Sequence, residues 1–177
     1  MSKMYRKQSG RSMIEMLGVL AIVGVLSAGG IAGYTMAMST FKANKAMEMI
    51  QMVSTQIKTL YGQDFTGLSI GDLYNMNAIS TEFLNTARDA GLSPFNTDFT
   101  VSEGEDATTY TLKIASVPKQ ACVKMVQSFW GDDTFFVGLK VGAGGNGKEF
   151  TDTTENNLAA ALTACPDDTQ DIEWEFK

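Results

Sequence analysis

Residues 13–38 read MIEMLGVLAIVGVLSAGGIAGYTMAM, and the rest of the chain is interpreted from this stretch outward. From Met16 to Met38 there is no charged side chain, and the polar residues are Ser27, Tyr34 and Thr35. As an α-helix rising about 1.5 Å per residue, these 23 residues extend roughly 35 Å, enough to cross a bilayer core. Residues 1–11, MSKMYRKQSGR, carry Lys3, Arg6, Lys7 and Arg11 and no acid. A basic segment beside an apolar span stays on the cytoplasmic side, so the remainder is expected to be exported. One residue breaks the pattern. Glu15 places a carboxylate just inside the apolar run, where an unpaired charge costs a few kcal/mol on insertion scales. A secretory signal cut after Ala28-Gly29-Gly30 or Gly30-Ile31-Ala32, or a plain uncleaved anchor, accounts for the hydrophobicity but not for Glu15.

Gly10 ends the basic leader, Arg11-Ser12-Met13-Ile14 follows, and Glu15 is the fifth residue after the glycine. This arrangement resembles the class III signal of type IV pilins and type II secretion pseudopilins. The resemblance implies that a prepilin peptidase/methyltransferase cuts after Gly10 and methylates the new amine of Arg11, and that Glu15 is the assembly glutamate. Arg11 departs from the Phe or Met common at that position. The sharp part of the resemblance covers about residues 8–40. Physically, cleavage leaves a cationic amine with Glu15 about one turn into the helix, where exposed N–H groups and the macrodipole favour an anion. Between neighbouring subunits, a Glu15–amine pair fixes register, because a wrong stagger strands a charge in an apolar core.

Gly18, Gly24, Gly29, Gly30 and Gly33 lie inside this helix, and Gly29-x-x-x-Gly33 is a small-xxx-small match of low specificity. Helical periodicity continues through Phe41, Met47, Ile50, Val53, Ile57 and Leu60 and stops before Gly62, a natural C-cap. One helix is therefore expected from about Ser12 to Tyr61. Met36, Met38, Met47, Met49 and Met52 could offer thioethers to copper, but at this spacing they read as adaptable packing residues.

The remainder reads as an α+β head. A short helix is expected over Thr81–Ala90, and Thr108–Ala115 alternates as a strand through Tyr110, Leu112 and Ile114. Pro118 opens a helix with Ala121, Cys122, Met125, Val126 and Phe129 on its apolar face. Thr134–Val141 reads as a strand, Glu155–Ala164 as a helix, and Asp171–Phe176 as a last strand. The expected domains are a leader at 1–10, a membrane and filament-core segment at 11–38, an amphipathic continuation at 39–61, and a head at 62–177. The fold class is thus α+β: a long N-terminal helix, apolar in its first half, packed by its C-terminal half on a small antiparallel sheet. Three strands are expected in that sheet, as in the pilin architecture.

Composition excludes much chemistry. With no histidine and two cysteines, the chain has no Ser-His-Asp triad, Cys-His dyad, His-ligated metal or four-cysteine zinc site. A net charge of −6 argues against general nucleic-acid binding. Cys122 and Cys165 lie in the exported part, where an even pair favours a disulfide over two buried thiols. The resemblance also implies a C-terminal disulfide loop. Residues 142–148 match G-x-x-x-x-G-K after a strand, but Glu149 stands where magnesium needs Ser or Thr, so a surface turn is expected. Asp167, Asp168, Asp171, Glu173 and Glu175 offer calcium ligands without an EF-hand pattern, and a solvated acidic face is the default.

These readings converge on a structural filament subunit, not an enzyme, with no cofactor. Its expected partners are the peptidase, an inner-membrane assembly platform and identical or related subunits. It is expected in the inner membrane first and in an extracellular pilus or periplasmic pseudopilus after assembly. The length of the head and the late cysteine pair lean toward a type IV pilin of the IVb or conjugative thin-pilus branch. The alternatives are a secretion pseudopilin and a membrane-anchored extracytoplasmic binding module that never polymerises.

Overall fold

A computed structural model describes residues 13–85, 91–128, 135–142, 147–151 and 157–177. Helix α1 runs from Met13 to Tyr61. The chain divides between Ala37 and Met38 into two compact units. In the first, the described residues 13–37 are helical and exposed on every side. In the second, α1 buries Ala43, Ala46, Met49, Ile50, Val53, Ser54 and Ile57. The spacing of Ala43, Ala46, Ile50, Val53 and Ile57 alternates three and four residues, which keeps them on one line along the helix. The expected stripe is corrected at its ends, since Phe41 is 61% exposed and Leu60 43%, while Met47 is half-buried. The two alanines, too small to stand out by hydrophobicity, take the positions closest to the core. Gly62 ends the helix at φ +69°, and its N–H donates to the Lys58 carbonyl at 3.1 Å, a left-handed C-cap that suits a residue without Cβ.

The head contains α2 (Ile70–Asn75), a 3₁₀ turn (Thr81–Phe83), β1 (Gly91–Leu92), β2 (Asp98–Glu103), β3 (Tyr110–Pro118), α3 (Lys119–Gln127), β4 (Phe136–Val141), β5 (Lys148–Phe150), α4 (Leu158–Ala164) and β6 (Thr169–Phe176). The strands form one sheet in the order β1-β2-β3-β6-β4-β5, with every adjacent pair antiparallel. Six strands replace the expected three. Of those not anticipated, β1 has two residues and β5 has three, too few for a pattern, and β2 alternates only through Phe99 and Val101. The helix expected over Thr81–Ala90 is a 3₁₀ turn, after which Leu84 is extended and bridges Gly91. Residues 86–90 of that expectation lie outside the described residues.

β3 starts two residues later than expected because the β2–β3 connection closes tightly: Gly104 N–H donates to the Thr109 carbonyl at 2.9 Å. It then runs on to Pro118 through a register shift between Ile114 and Val117, with Ser116 at φ +51°. Pro118 caps α3, and Phe129 falls outside the described residues. Helix α4 begins after Asn157, whose side-chain oxygen accepts from Ala160 N–H at 2.9 Å.

Alternation puts Tyr110, Leu112, Ile114, Ile172, Trp174 and Phe176 on the face that forms the core. Helix α1 is tied to this face by a polar contact. Ser54 Oγ lies 2.7 Å from the Tyr110 hydroxyl, which also donates to the Ser54 carbonyl at 3.4 Å. Tyr110 is fully buried, and its ring lies between Phe65 (centroids 4.6 Å apart) and Phe176 (5.5 Å). The hydroxyl needs this partner, because an unpaired buried polar group costs about 1–3 kcal/mol.

Candidate functional site

Residues 13–37 carry one charge, Glu15, in the first turn of α1. Gly10 and Arg11, the expected cleavage and methylation positions, lie outside the described residues. The surface around Glu15 is apolar and open: Met13 is 85% exposed, Ile14 79% and Leu17 65%. A contiguous apolar surface of this kind is not left in water, and it signals a membrane or a protein partner. By length and composition α1 qualifies to cross a membrane. A Cβ added at Gly18, Gly24, Gly29, Gly30 or Gly33 would meet nothing within 4 Å. Among the described residues no contact therefore calls for these glycines, although each costs up to about 1 kcal/mol of helix propensity.

Cys122 on α3 and Cys165, which caps α4, form a disulfide. The bond ties the two helices together beside the start of β6. Around it, Lys119 N–H donates to the Asp168 carbonyl at 2.9 Å and Lys119 Nζ to the Pro166 carbonyl at 2.8 Å.

The acidic residues of β6 are spread along a ladder and do not converge. Asp171, Glu173 and Glu175 alternate on the outer face, opposite Lys113 of β3 and Lys140 of β4. Lys113 Nζ contacts Asp171 at 2.9 Å, and Lys140 Nζ lies 3.8 Å from Glu175 and 4.0 Å from Glu149. Among the described residues no three carboxylates or thiols come together in a way that would hold a metal. Asp171 also accepts the Ser116 N–H at 3.0 Å, which stabilises the β3 irregularity. Burial is the largest single influence on this carboxyl and opposes ionisation. The Ser116 N–H and the hydrogen bond and charge of Lys113 together outweigh it, so Asp171 titrates below its ordinary range.

The phosphate-loop lookalike joins β4 to β5, an antiparallel pair in which Val141 opposes Lys148. A phosphate loop leads into a helix, whereas this connection leads into a strand, and Lys148 Nζ sits 4.9 Å from the centre of the Phe150 ring two residues on. Residues 143–146 lie outside the described residues.

The sequence reading missed two surface features. Helix α4 exposes Leu158 (55%) and Leu162 (48%), one turn apart. Elsewhere on the head, Lys58, Gln63, Phe65, Thr108, Phe135 and Lys177 line a cleft of about 660 Å³. Lys58 Nζ stands 3.1 Å above the Phe135 ring, a cation–π contact. Helical periodicity over seven residues is too short to separate a solvent-facing leucine pair from a buried one.

A long helix with an uncharged first half broken by one carboxylate, followed by an antiparallel sheet and a disulfide that joins two head helices, defines the type IV pilin fold. The structure resembles a type IVb pilin from Salmonella typhi with a TM-score of 0.56 and 16% identity, covering 74% of this chain and 97% of that one. It resembles TcpA, a type IV pilin from Vibrio cholerae El Tor biotype, with a TM-score of 0.50 and 14% identity, covering 77% and 98%. In sequence it is 27% identical over 176 residues to the major structural subunit of bundle-forming pilus of Escherichia coli O111:H-, covering 93% of this chain and 90% of the relative. The match to the corresponding subunit of Escherichia coli O127:H6 (strain E2348/69 / EPEC) has the same identity and coverage. The Bundlin family model matches residues 34–177, and the chain belongs to that family.

Proposed function

We propose that this chain is a structural pilin of a type IVb-like pilus, matured by cleavage after Gly10 and polymerised through α1. The observation that carries the reading is the state of residues 13–37: a helix exposed on all sides, uncharged except for Glu15, and holding glycines that no contact among the described residues requires. The subunit first rests in the inner membrane with residues 16–38 in the hydrocarbon. An assembly platform then moves it into a filament, where neighbouring helices replace the lipid and the glycines allow close approach.

In this scheme the peptidase removes residues 1–10 and methylates Arg11. Glu15 of one subunit faces the terminal amine of its neighbour and selects the stagger. The head stays outside and forms the filament surface.

Terminal mass analysis of the mature protein, with electron microscopy of cells expressing it, tests this. An N-methylated Arg11 and surface filaments that disappear on deletion are the expected results. A mature start beyond the apolar run removes the α1 polymerisation mechanism. Correct maturation without filaments favours a non-polymerising membrane-anchored module.

A further inference from the structure

The two features that the single subunit leaves unexplained, the leucine pair of α4 and the Lys58–Phe135 cleft, lie at opposite ends of the same strands. The cleft gathers where β3 and β4 begin and β6 ends: Thr108 and Phe135 precede β3 and β4, and Lys177 follows β6, its N–H donating to the Phe135 carbonyl at 2.8 Å. Helix α4 lies where β6 begins and β3 ends, with Thr169 opposite Pro118. The eight residues of β6 separate the two by roughly 25 Å at about 3.4 Å per residue.

An exposed apolar surface at one end and a partly apolar recess at the other cannot satisfy each other within one molecule. Between copies they form a heterologous, head-to-tail contact, the kind that repeats along an open helix without closing a ring. Charge agrees with this pairing. The cleft carries the side chains of Lys58 and Lys177, while Asp167 and Asp168 are exposed immediately after α4. The recess volume lies within the range of sites that take up compact apolar groups.

We propose that the exposed α4 face, centred on Leu158 and Leu162, docks into the Lys58–Phe135 cleft of a second copy of this chain in the filament. The proposal rests on the pilin reading above. The heads need not associate strongly in isolation, because α1 polymerisation supplies the high effective concentration.

The test places the photoreactive residue benzoylphenylalanine at Ala159, which is exposed beside both leucines, in full-length subunits assembled into filaments from mixed isotope-labelled and unlabelled chains. Irradiation is expected to link the probe to peptides carrying residues 58–65, 108 or 135 of a different copy. A Leu158→Glu/Leu162→Glu variant should keep normal levels of folded, disulfide-bonded subunit while filament yield falls about tenfold or more. Links to another surface, to another protein or to none, in filaments that form normally, overturn the docking and leave the pilin reading intact. Unaltered filament yield in the double variant also overturns it. Absence of filaments from the unsubstituted chain defeats the pilin reading itself, and the docking with it.

Discussion

Glu15 is the residue on which polymer register is expected to depend, because no other charge lies among residues 13–37. Glu15→Ala should leave membrane insertion intact, since it only makes the span more apolar, yet abolish or sharply reduce filaments by electron microscopy. A normal filament yield would remove the register role. Tyr110 has a comparable part within the head. Its buried hydroxyl is held by Ser54, so Tyr110→Phe should cost about 1–2 kcal/mol, read as a lower urea midpoint of the detergent-solubilised chain. Asp171 adds a pH dependence. Its folded-state pKa is depressed, so its contribution is fully present above the unfolded value near 4 and is lost as pH falls through the lower folded value. Asp171→Asn should flatten stability against pH below about 4, as followed by thermal unfolding at stepped pH.

Among the elements, β1 is the most exposed to a single change. At Gly91 it meets β2 so closely that a Cβ would overlap the Phe99 carbonyl oxygen and ring and the Ile70 side chain. Gly91→Ala should therefore displace the two-residue strand at a cost of about 1–3 kcal/mol, visible as faster amide exchange along β1 and the adjoining end of β2. This strand also shows why part of the fold is hard to read from residues alone. The long helix, α3, β3 and β6 have enough periodic residues for their apolar faces to be recognised. β1 and β5 exist because a neighbouring strand offers them hydrogen bonds, which leaves little trace in side-chain pattern. On α1 the inward line was partly misplaced for a related reason: Ala43 and Ala46 are buried because close packing needs them small, while the more hydrophobic Phe41 and Leu60 face outward. Of the functional features, Glu15 and the cysteine pair are legible because each is chemically unusual in its context. The α4 leucines and the cleft arise only when distant segments come together.

At the scale of the whole molecule, charge and cross-link suit the pilus subunit proposed above. Removing residues 1–10 deletes Lys3, Arg6 and Lys7, leaving eleven basic against twenty acidic side chains, or −9. The Cys122–Cys165 bond spans 43 residues, and on the chain-entropy model its loss costs roughly 4 kcal/mol. Cys122→Ser/Cys165→Ser should lower the urea midpoint accordingly and make the head more sensitive to protease, while the proposed maturation after Gly10 should be unaffected, because that site lies far from both cysteines in sequence.

The strand order has a temporal consequence. β6, the last of the described strands, lies between β3 and β4 and pairs with both. Until residues 169–176 are in place, the sheet is two separate fragments and the site of Trp174 is empty of its side chain. The head therefore cannot complete its folding from the amino end as it emerges. It closes in one late step, dominated by contacts distant in sequence and correspondingly slow.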